Sequence, residues 1–378
     1  MKVLIQNRPD TLEVFGGDSV QTLKTAEYLR KLGVHVDISF ELTPKLEGYD
    51  IVHLMNITRV KFTYVQLANA KKQGKKVVLS PIYWNTKQVI AAYLQTPVFD
   101  LNGLSFKELA RACFSSLIKK RLLNEIGEVI QNRKLASEVL SKTDCLLPNS
   151  GAELEILKRD FAEAFRNEEK KSGIVPNGVD AGIFYSASPR EFIEKHGLDD
   201  FILNVGRFSY RKNQFALIKA LRGLGMKVVF IGGSPDSSSN YYRVKNTIDK
   251  IYYQKCKRDA SSSLVFLPAM PQKQLASAYA ACKTFVLPSL YETPGLSALE
   301  AALAGANICV TSGGSTREYF SNLASYCDPY NANSIRKAVL EAYHRPKDNV
   351  LKKHVLMNFT WDKTAKATLE AYMAVLEK

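Results

Sequence analysis

Apolar and polar positions in this chain recur with two different periods, and the switches between them mark out a repeating series of strands and helices. KVLIQN opens as a strand, and VQTLKTAEYLRKLG follows as an amphipathic helix closed by Gly33. VHVDISF and YDIVHLM read as the second and third strands, FTYVQLANAKKQG as a helix and KKVVLS as the fourth strand. The same rhythm restarts at FILNVGRF and runs through the helix NQFALIKALRGLG and the strands MKVVFIGG and SLVFLPA. It ends with the helix KQLASAYAAC and the strand KTFVLPS. Alternation at this pitch predicts an α/β chain in which each run forms a doubly wound, mostly parallel sheet with helices on both faces. Turn-rich GIVPNGVD at residues 173–180 is the expected link. The predicted domains are 1–172 and 173–358, followed by one amphipathic helix over 359–378 with Thr360 at its cap and Trp361 as its anchor. A length of 378 residues, too long for one ordinary core, agrees with two domains.

Residues 101–142 interrupt the first run with long helical patterning that carries eight Lys/Arg against four Asp/Glu. Two readings stand: a surface helix pair, or a face that docks on an anionic membrane or a lipid acceptor.

Composition narrows the class. The chain is 46% apolar and 24% charged, as a soluble globular protein is. No apolar run reaches membrane-spanning length, and MKVLIQNRPD reads as a strand rather than a secretory leader. A cytoplasmic location is expected, with peripheral attachment at the inner face of a membrane as an option. Six scattered cysteines without a C-x-x-C pair predict buried free thiols. The net charge of +15 asks for an anionic partner, yet its spread along the chain disfavours nucleic acid.

The chemistry concentrates in PSLYETPGLSALEAALAGANICVTSGGSTREYF. Between Thr293 and Thr316 the one charge is Glu300, on a helix expected to begin near Pro294–Gly295 and to pack through Leu296, Leu299 and Leu303. A carboxylate in apolar surroundings needs partners, and the paired hydroxyls of a ribose are suitable ones. Glu292 lies eight residues earlier, in the turn before the helix, whose free N–H groups and dipole suit a diphosphate. The plainer alternative has Glu292 favouring the helix start and Glu300 pairing with an internal Lys or Arg. LNVGRFSYRKNQ places Gly206 and Arg207 at a strand end and Lys212 before the next helix. Ligands of open α/β sheets bind at such strand ends, and cations there can neutralise a departing diphosphate. Arg211 reads as a surface or interdomain side chain.

PNGVDAGIF, VGRFSYRKN, the E-x7-E frame of Glu292 and Glu300, and SGGSTRE resemble the C-terminal half of the family 4 retaining glycosyltransferases of GT-B fold. FGGDSVQTLKTAEYLRKLGVHVDI resembles that family's glycine turn and first helix. The resemblance implies two Rossmann-like domains facing across a cleft, with the acceptor on the first and a nucleotide-sugar donor on the second. It implies Arg207 and Lys212 on the donor diphosphate and Glu300 on the ribose. Glu292, with the backbone of Thr293, Pro294, Gly295, Leu296 and Ser297, would hold the sugar and phosphates. Gly16 and Gly17 would approach from across the cleft, and Asp18 would line the acceptor side. Gly206, Gly232 and Gly233 would be turns near the donor, and Pro268–Ala269 a base-binding edge. FTWDKTAKATLE would be the helix that crosses back to the first domain.

Three positions depart from the commoner family pattern. Pro294 removes one backbone donor where many members carry Gly-Phe-Gly after the glutamate. KKVVLS runs into Pro81, Ile82, Tyr83 and Trp84 where many members place a histidine; Tyr83 and Trp84 stand either in the acceptor pocket or in plain packing. His53 matches a frequent family histidine, although a lone histidine at a strand end is as readily structural. The resemblance implies retention of anomeric configuration and a glycan or lipid-linked acceptor, and the absence of any D-x-D sequence fits a reaction without metal or other cofactor. A catalytically silent protein that binds nucleotide sugar is the alternative. A dehydrogenase is disfavoured because no G-x-G-x-x-G follows the first strand.

Overall fold

The computed structural model describes residues 1–84, 132–166, 171–232 and 243–377. Its first sheet is built from β1 (Lys2–Gln6), β2 (His35–Ser39), β3 (Ile51–Met55), β4 (Lys76–Ser80), β5 (Cys145–Leu146) and β6 (Lys171–Ser172), in the order β2-β1-β3-β4-β5-β6. The second contains β7 (Ile202–Val205), β8 (Val228–Ile231), β9 (Leu264–Leu267), β10 (Thr284–Leu287), β11 (Asn307–Thr311) and β12 (Ser325–Cys327), in the order β12-β11-β10-β7-β8-β9. Every strand pair is parallel. Central strands such as β3, β7, β8 and β10 are buried along their whole length, which is why they read as apolar runs rather than alternating ones.

The eight strands read from the pattern are all present. Four more are not legible there: β5, β6, β11 and β12. Two-residue strands such as β5 and β6 carry no period to detect, and β11 follows its helix after a short turn. Of the segment 101–142, residues 132–142 form a helix and the rest lies outside the described residues, as does the question of its docking face.

Strand order reverses between β1 and β3 in the first sheet and between β7 and β10 in the second. In a doubly wound sheet the connections leave in opposite directions at such a point and open a crevice at the carboxyl ends of the strands.

Two chain passages join the halves, the segment 173–180 and the return at 359–361, and they bond to each other. Val179 N–H donates to Phe359 O at 2.9 Å and Trp361 N–H to Val179 O at 3.4 Å. A Cβ on Gly178 would overlap the Thr360 backbone, so only glycine fits there. Helix Trp361–Leu376 then lies on the first domain, where Trp361, Ala365 and Tyr372 share a core with Val3, Ile5 and Leu29. Thr360 occupies the cap position, but its side chain makes no capping bond; burial of Trp361 holds the helix start. Five of the cysteines are described, all of them free and buried. Among the described residues no helix is long and apolar enough to cross a membrane.

Candidate functional site

The reversal between β7 and β10 brings two loops together. The loop after β7 carries Gly206, Arg207 and a 3-10 turn Tyr210–Lys212; the loop after β10 carries Tyr291 to Gly295. Lys212 Nζ donates to Glu292 Oε1 at 2.6 Å, eighty positions apart in sequence. Arg211 reaches the same oxygen at 3.6 Å. Burial pushes the Glu292 carboxyl up, but the charges of Lys212 and then Arg211 outweigh it and hold the group below its ordinary value. Desolvation lowers the Lys212 ammonium more than Glu292 raises it, with repulsion from Arg211 and Arg207 added. Arg207 is half exposed, 3.8 Å from buried Asp249. Two cations thus flank the buried Glu292 carboxylate, and Arg207 stands close enough to repel Lys212.

Glycine makes the approach possible. A Cβ on Gly232 would overlap Gly206 O, so the strand-end turns of β7 and β8 touch backbone to backbone. Pro268 and Ala269 follow β9 and are exposed beside them. Gly233 lies outside the described residues.

Helix Leu296–Leu303 starts one residue later than the sequence suggests. Gly295 is its cap at φ +89, and Pro294 stands before the cap rather than in the first turn. The positive φ aims the helix start back at Glu292, whose Oε2 is 3.7 Å from where a Gly295 Cβ would be. No side chain caps this helix. Ala298 and Leu299 N–H both bond to Gly295 O, leaving Leu296 and Ser297 as its first two donors. The glycines of SGGSTRE brace the turn: Gly314 lies against Glu292 O, and Ser315 N–H donates to that oxygen at 3.0 Å.

Glu300, about one turn into the helix, is half-buried. Its partner is not a Lys or Arg but Tyr279, whose hydroxyl donates to Oε2 at 3.0 Å. Burial raises the carboxyl to about 7, with the tyrosine bond pulling only weakly the other way.

The first domain meets this site with its own glycine turn. Gly16 caps helix Gly17–Lys31, and a Cβ on Gly17 would stand 3.9 Å from Leu296 Cδ1. The two helix starts therefore face each other across the cleft. Trp84 crosses the cleft as well, its ring 5.4 Å from the Arg211 guanidinium carbon. Arg211 is thus both an interdomain contact and a neighbour of Glu292.

Other residues expected on the acceptor side have partners within the protein. His53 is buried, with Nδ1 2.7 Å from the Tyr372 hydroxyl and Nε2 2.9 Å from Ser80 Oγ; burial pushes it down to about 3. It ties the final helix to the first sheet. Tyr83 is also buried: its N–H donates to Glu153, its hydroxyl to Asp160 at 2.9 Å, and its ring packs on Phe161. Asp18 lies at the expected turn but is held by Arg8 at 3.0 Å and Asn56 at 3.1 Å.

Several partners gave no signal in the sequence: Asp249 for Arg207, Tyr279 for Glu300, Arg8 for Asp18. Glu318 is another. It ends SGGSTRE, and its two oxygens accept from Gly151 N–H at 2.7 Å and Ala152 N–H at 2.6 Å. A carboxylate of one domain thereby caps helix Gly151–Asp160 of the other. Glu318→Ala is expected to cost about 1 kcal/mol in urea unfolding and to speed amide exchange at Gly151 and Ala152. Unchanged exchange there would count against the cap.

Residues 189–354 match the model of the family described as glycosyl transferases group 1. The match falls within the second domain. Curated relatives are similar over longer stretches of the chain. An uncharacterized glycosyltransferase of Methanocaldococcus jannaschii is 29% identical over 239 residues, covering 58% of this chain and 58% of the relative. A D-inositol 3-phosphate glycosyltransferase of Corynebacterium urealyticum is 25% identical over 333 residues, covering 78% of this chain and 74% of the relative. The chain spans little more than half the length of the first relatives, 58% and 56%. Among solved structures, a sucrose-phosphate synthase from Thermosynechococcus elongatus superposes with a TM-score of 0.73 at 15% identity, over 100% of this chain and 99% of that one. Anabaena HepE in complex with UDP and glucose gives 0.65 at 12% identity, over 99% of this chain and 100% of that one. The two domains together make the GT-B fold.

Proposed function

We propose that the chain is a retaining, metal-independent glycosyltransferase that takes a hexosyl group from a UDP- or GDP-sugar and gives it to a hydroxyl of a glycan or lipid-linked acceptor. The observation that carries this reading is the pairing of Lys212 with Glu292 beside an uncapped helix start, at the strand reversal of a domain that matches the group 1 family. The complex of HepE with UDP and glucose, on the same fold, favours a nucleotide-sugar donor.

The anomeric carbon–oxygen bond to the diphosphate breaks, and the acceptor oxygen bonds to that carbon on the face the diphosphate leaves. The acceptor proton passes to the departing phosphate oxygen. Charge grows on the diphosphate as the bond lengthens, so the protein's main task is electrostatic. Arg207 and Lys212 neutralise that charge, together with the N–H groups of Leu296 and Ser297. Glu292 keeps Lys212 placed and offers its other oxygen to the sugar. Glu300 accepts from the ribose hydroxyls, and Gly206 and Gly232 let the backbone approach the nucleotide. Fixed cations do the work a divalent ion would otherwise do.

A thermal-shift series over nucleoside diphosphates, each with excess EDTA, tests this. A ligand at one hundred times its dissociation constant stabilises by about 2.7 kcal/mol. UDP or GDP is expected to raise the melting temperature in EDTA, and donor hydrolysis is expected to persist in EDTA and to drop in Glu292→Ala. Strict dependence on manganese would contradict the site. Binding without hydrolysis in either protein would indicate a silent nucleotide-sugar binder.

A further inference from the structure

The turn that carries Glu292 is fastened to the loop after β7. Leu290 N–H donates to Arg211 O at 2.8 Å, and Asn213 Nδ2 donates to Pro288 O at 3.1 Å. Arg211 adds its side chain to this seam. Its Nη1 donates to Tyr291 O at 3.4 Å and lies 3.6 Å from Glu292 Oε1. A guanidinium is a rigid plane with several donors, so one group can serve a carbonyl, a carboxylate and an aromatic face. The aromatic face is that of Trp84, 5.4 Å away on the first domain. Tyr291 reaches the first domain too. It is buried, and after burial the largest influence on its hydroxyl is the charge of Glu153.

The two cations beside Glu292 are not equivalent. Lys212 is well enclosed and bonds Oε1 directly at 2.6 Å, which already neutralises the carboxylate. Arg211 is about one-third exposed and stands further off. A long side chain in that position loses rotamer freedom to hold one geometry, and water competes for it. Trp84 offsets this by giving the guanidinium a second surface to rest on. Both cations approach the same oxygen, Oε1. The other oxygen, Oε2, is left toward the start of helix Leu296–Leu303, 3.7 Å from where a Gly295 Cβ would be.

We infer that Arg211 is a positioning residue for the donor sugar: braced by Trp84 of the first domain, it holds Glu292 with Oε2 turned to the helix start. This rests on the glycosyltransferase reading and adds that the first domain has a share in holding the donor sugar. Arg211 acts through Glu292 rather than on the sugar itself.

The test separates the sugar from the diphosphate. UDP-glucose, UDP-galactose, UDP-N-acetylglucosamine and GDP-mannose are screened by thermal shift beside UDP and GDP. Calorimetry then gives dissociation constants for the best nucleotide sugar and for its nucleoside diphosphate. Arg211→Met and Trp84→Leu are each expected to weaken the nucleotide sugar about fivefold, the scale of one partly desolvated cation–π contact. The diphosphate is expected to weaken by less than about twofold in each, on that same scale. The double variant should match Arg211→Met alone, because both substitutions break one contact. Arg211→Lys keeps the charge without the plane and should resemble Trp84→Leu, whereas Trp84→Phe keeps an aromatic face and should resemble the wild type. These two also carry the comparison if Trp84→Leu does not fold.

Equal weakening of nucleotide sugar and diphosphate would overturn the inference, and so would additive losses in the double variant. A Trp84→Phe loss as large as that of Trp84→Leu would overturn it as well. So would a wild type that shifts with UDP or GDP but with no nucleotide sugar, since Glu292 would then hold no sugar. A wild type that shifts with none of the six ligands would instead sink the donor reading beneath it.

Discussion

Lys212→Met is expected to lower kcat/KM by 10²–10³, the usual cost of removing one preorganised charge from a developing anion. The same substitution strips a buried carboxylate of its nearest cation, leaving Arg211 at 3.6 Å to balance Glu292. Breaking a buried pair on one side costs about 3–5 kcal/mol in unfavourable cases, so stability should fall along with activity. Glu292→Gln added to Lys212→Met separates the two effects. With no buried carboxylate left to balance, the melting temperature is expected to recover most of its loss while turnover does not return. Recovery of turnover in the double variant would mean that Lys212 serves only to neutralise Glu292. The sign of the pH effect follows from the same pair. Because Glu292 is held below its ordinary value, its contribution is present at neutral pH and is lost as pH falls through the lowered value. The stability advantage of wild type over Glu292→Gln should therefore be present at neutral pH and shrink as pH falls into the acid range.

Donor affinity is expected to rise about tenfold between pH 6 and pH 8. Only the ionised Glu300 can accept from both ribose hydroxyls. With the carboxyl raised to about 7 by burial, roughly one site in ten is ionised at pH 6 and nine in ten at pH 8. Glu300→Gln should bind about 10–100-fold more weakly at pH 8, as expected for losing charged hydrogen bonds, and its profile should be flat over that interval. The stability linkage runs the other way. A carboxyl whose value is raised in the folded chain favours folding most at pH below its unfolded value near 4.5. That advantage disappears as pH rises through about 7. Glu300→Gln is accordingly expected to raise the melting temperature at pH 8 and leave it unchanged at pH 4. Calorimetric titration with UDP at several pH values, alongside melting curves, reads both signs. A wild-type affinity independent of pH would show that Glu300 does not hold the ribose.

Much of the arrangement follows from local pattern. Apolar runs bounded by turns gave eight of the strands, and glycines such as Gly206, Gly295 and Gly314 marked places where backbone approaches backbone or turns with positive φ. The scarcity of charge around Glu300 called for a partner, either the hydroxyls of a ribose or an internal Lys or Arg. Its protein partner, Tyr279, belongs to a different helix, and no local signal links the two.

Composition, periodicity and glycine placement are local properties, so they determined the two α/β runs, the final amphipathic helix and the chemical types gathered after β7 and β10. Which residues meet depends on strand order, a global property. The reversal between β7 and β10 put Lys212 on Glu292, and the return of helix Trp361–Leu376 turned His53 toward Tyr372 and away from the cleft. A buried histidine or tyrosine has the same sequence signature whether it faces a ligand or a packed helix. Only the packing of distant elements, driven by burial of their apolar faces, distinguishes Trp84 at the cleft from Tyr83 in the core.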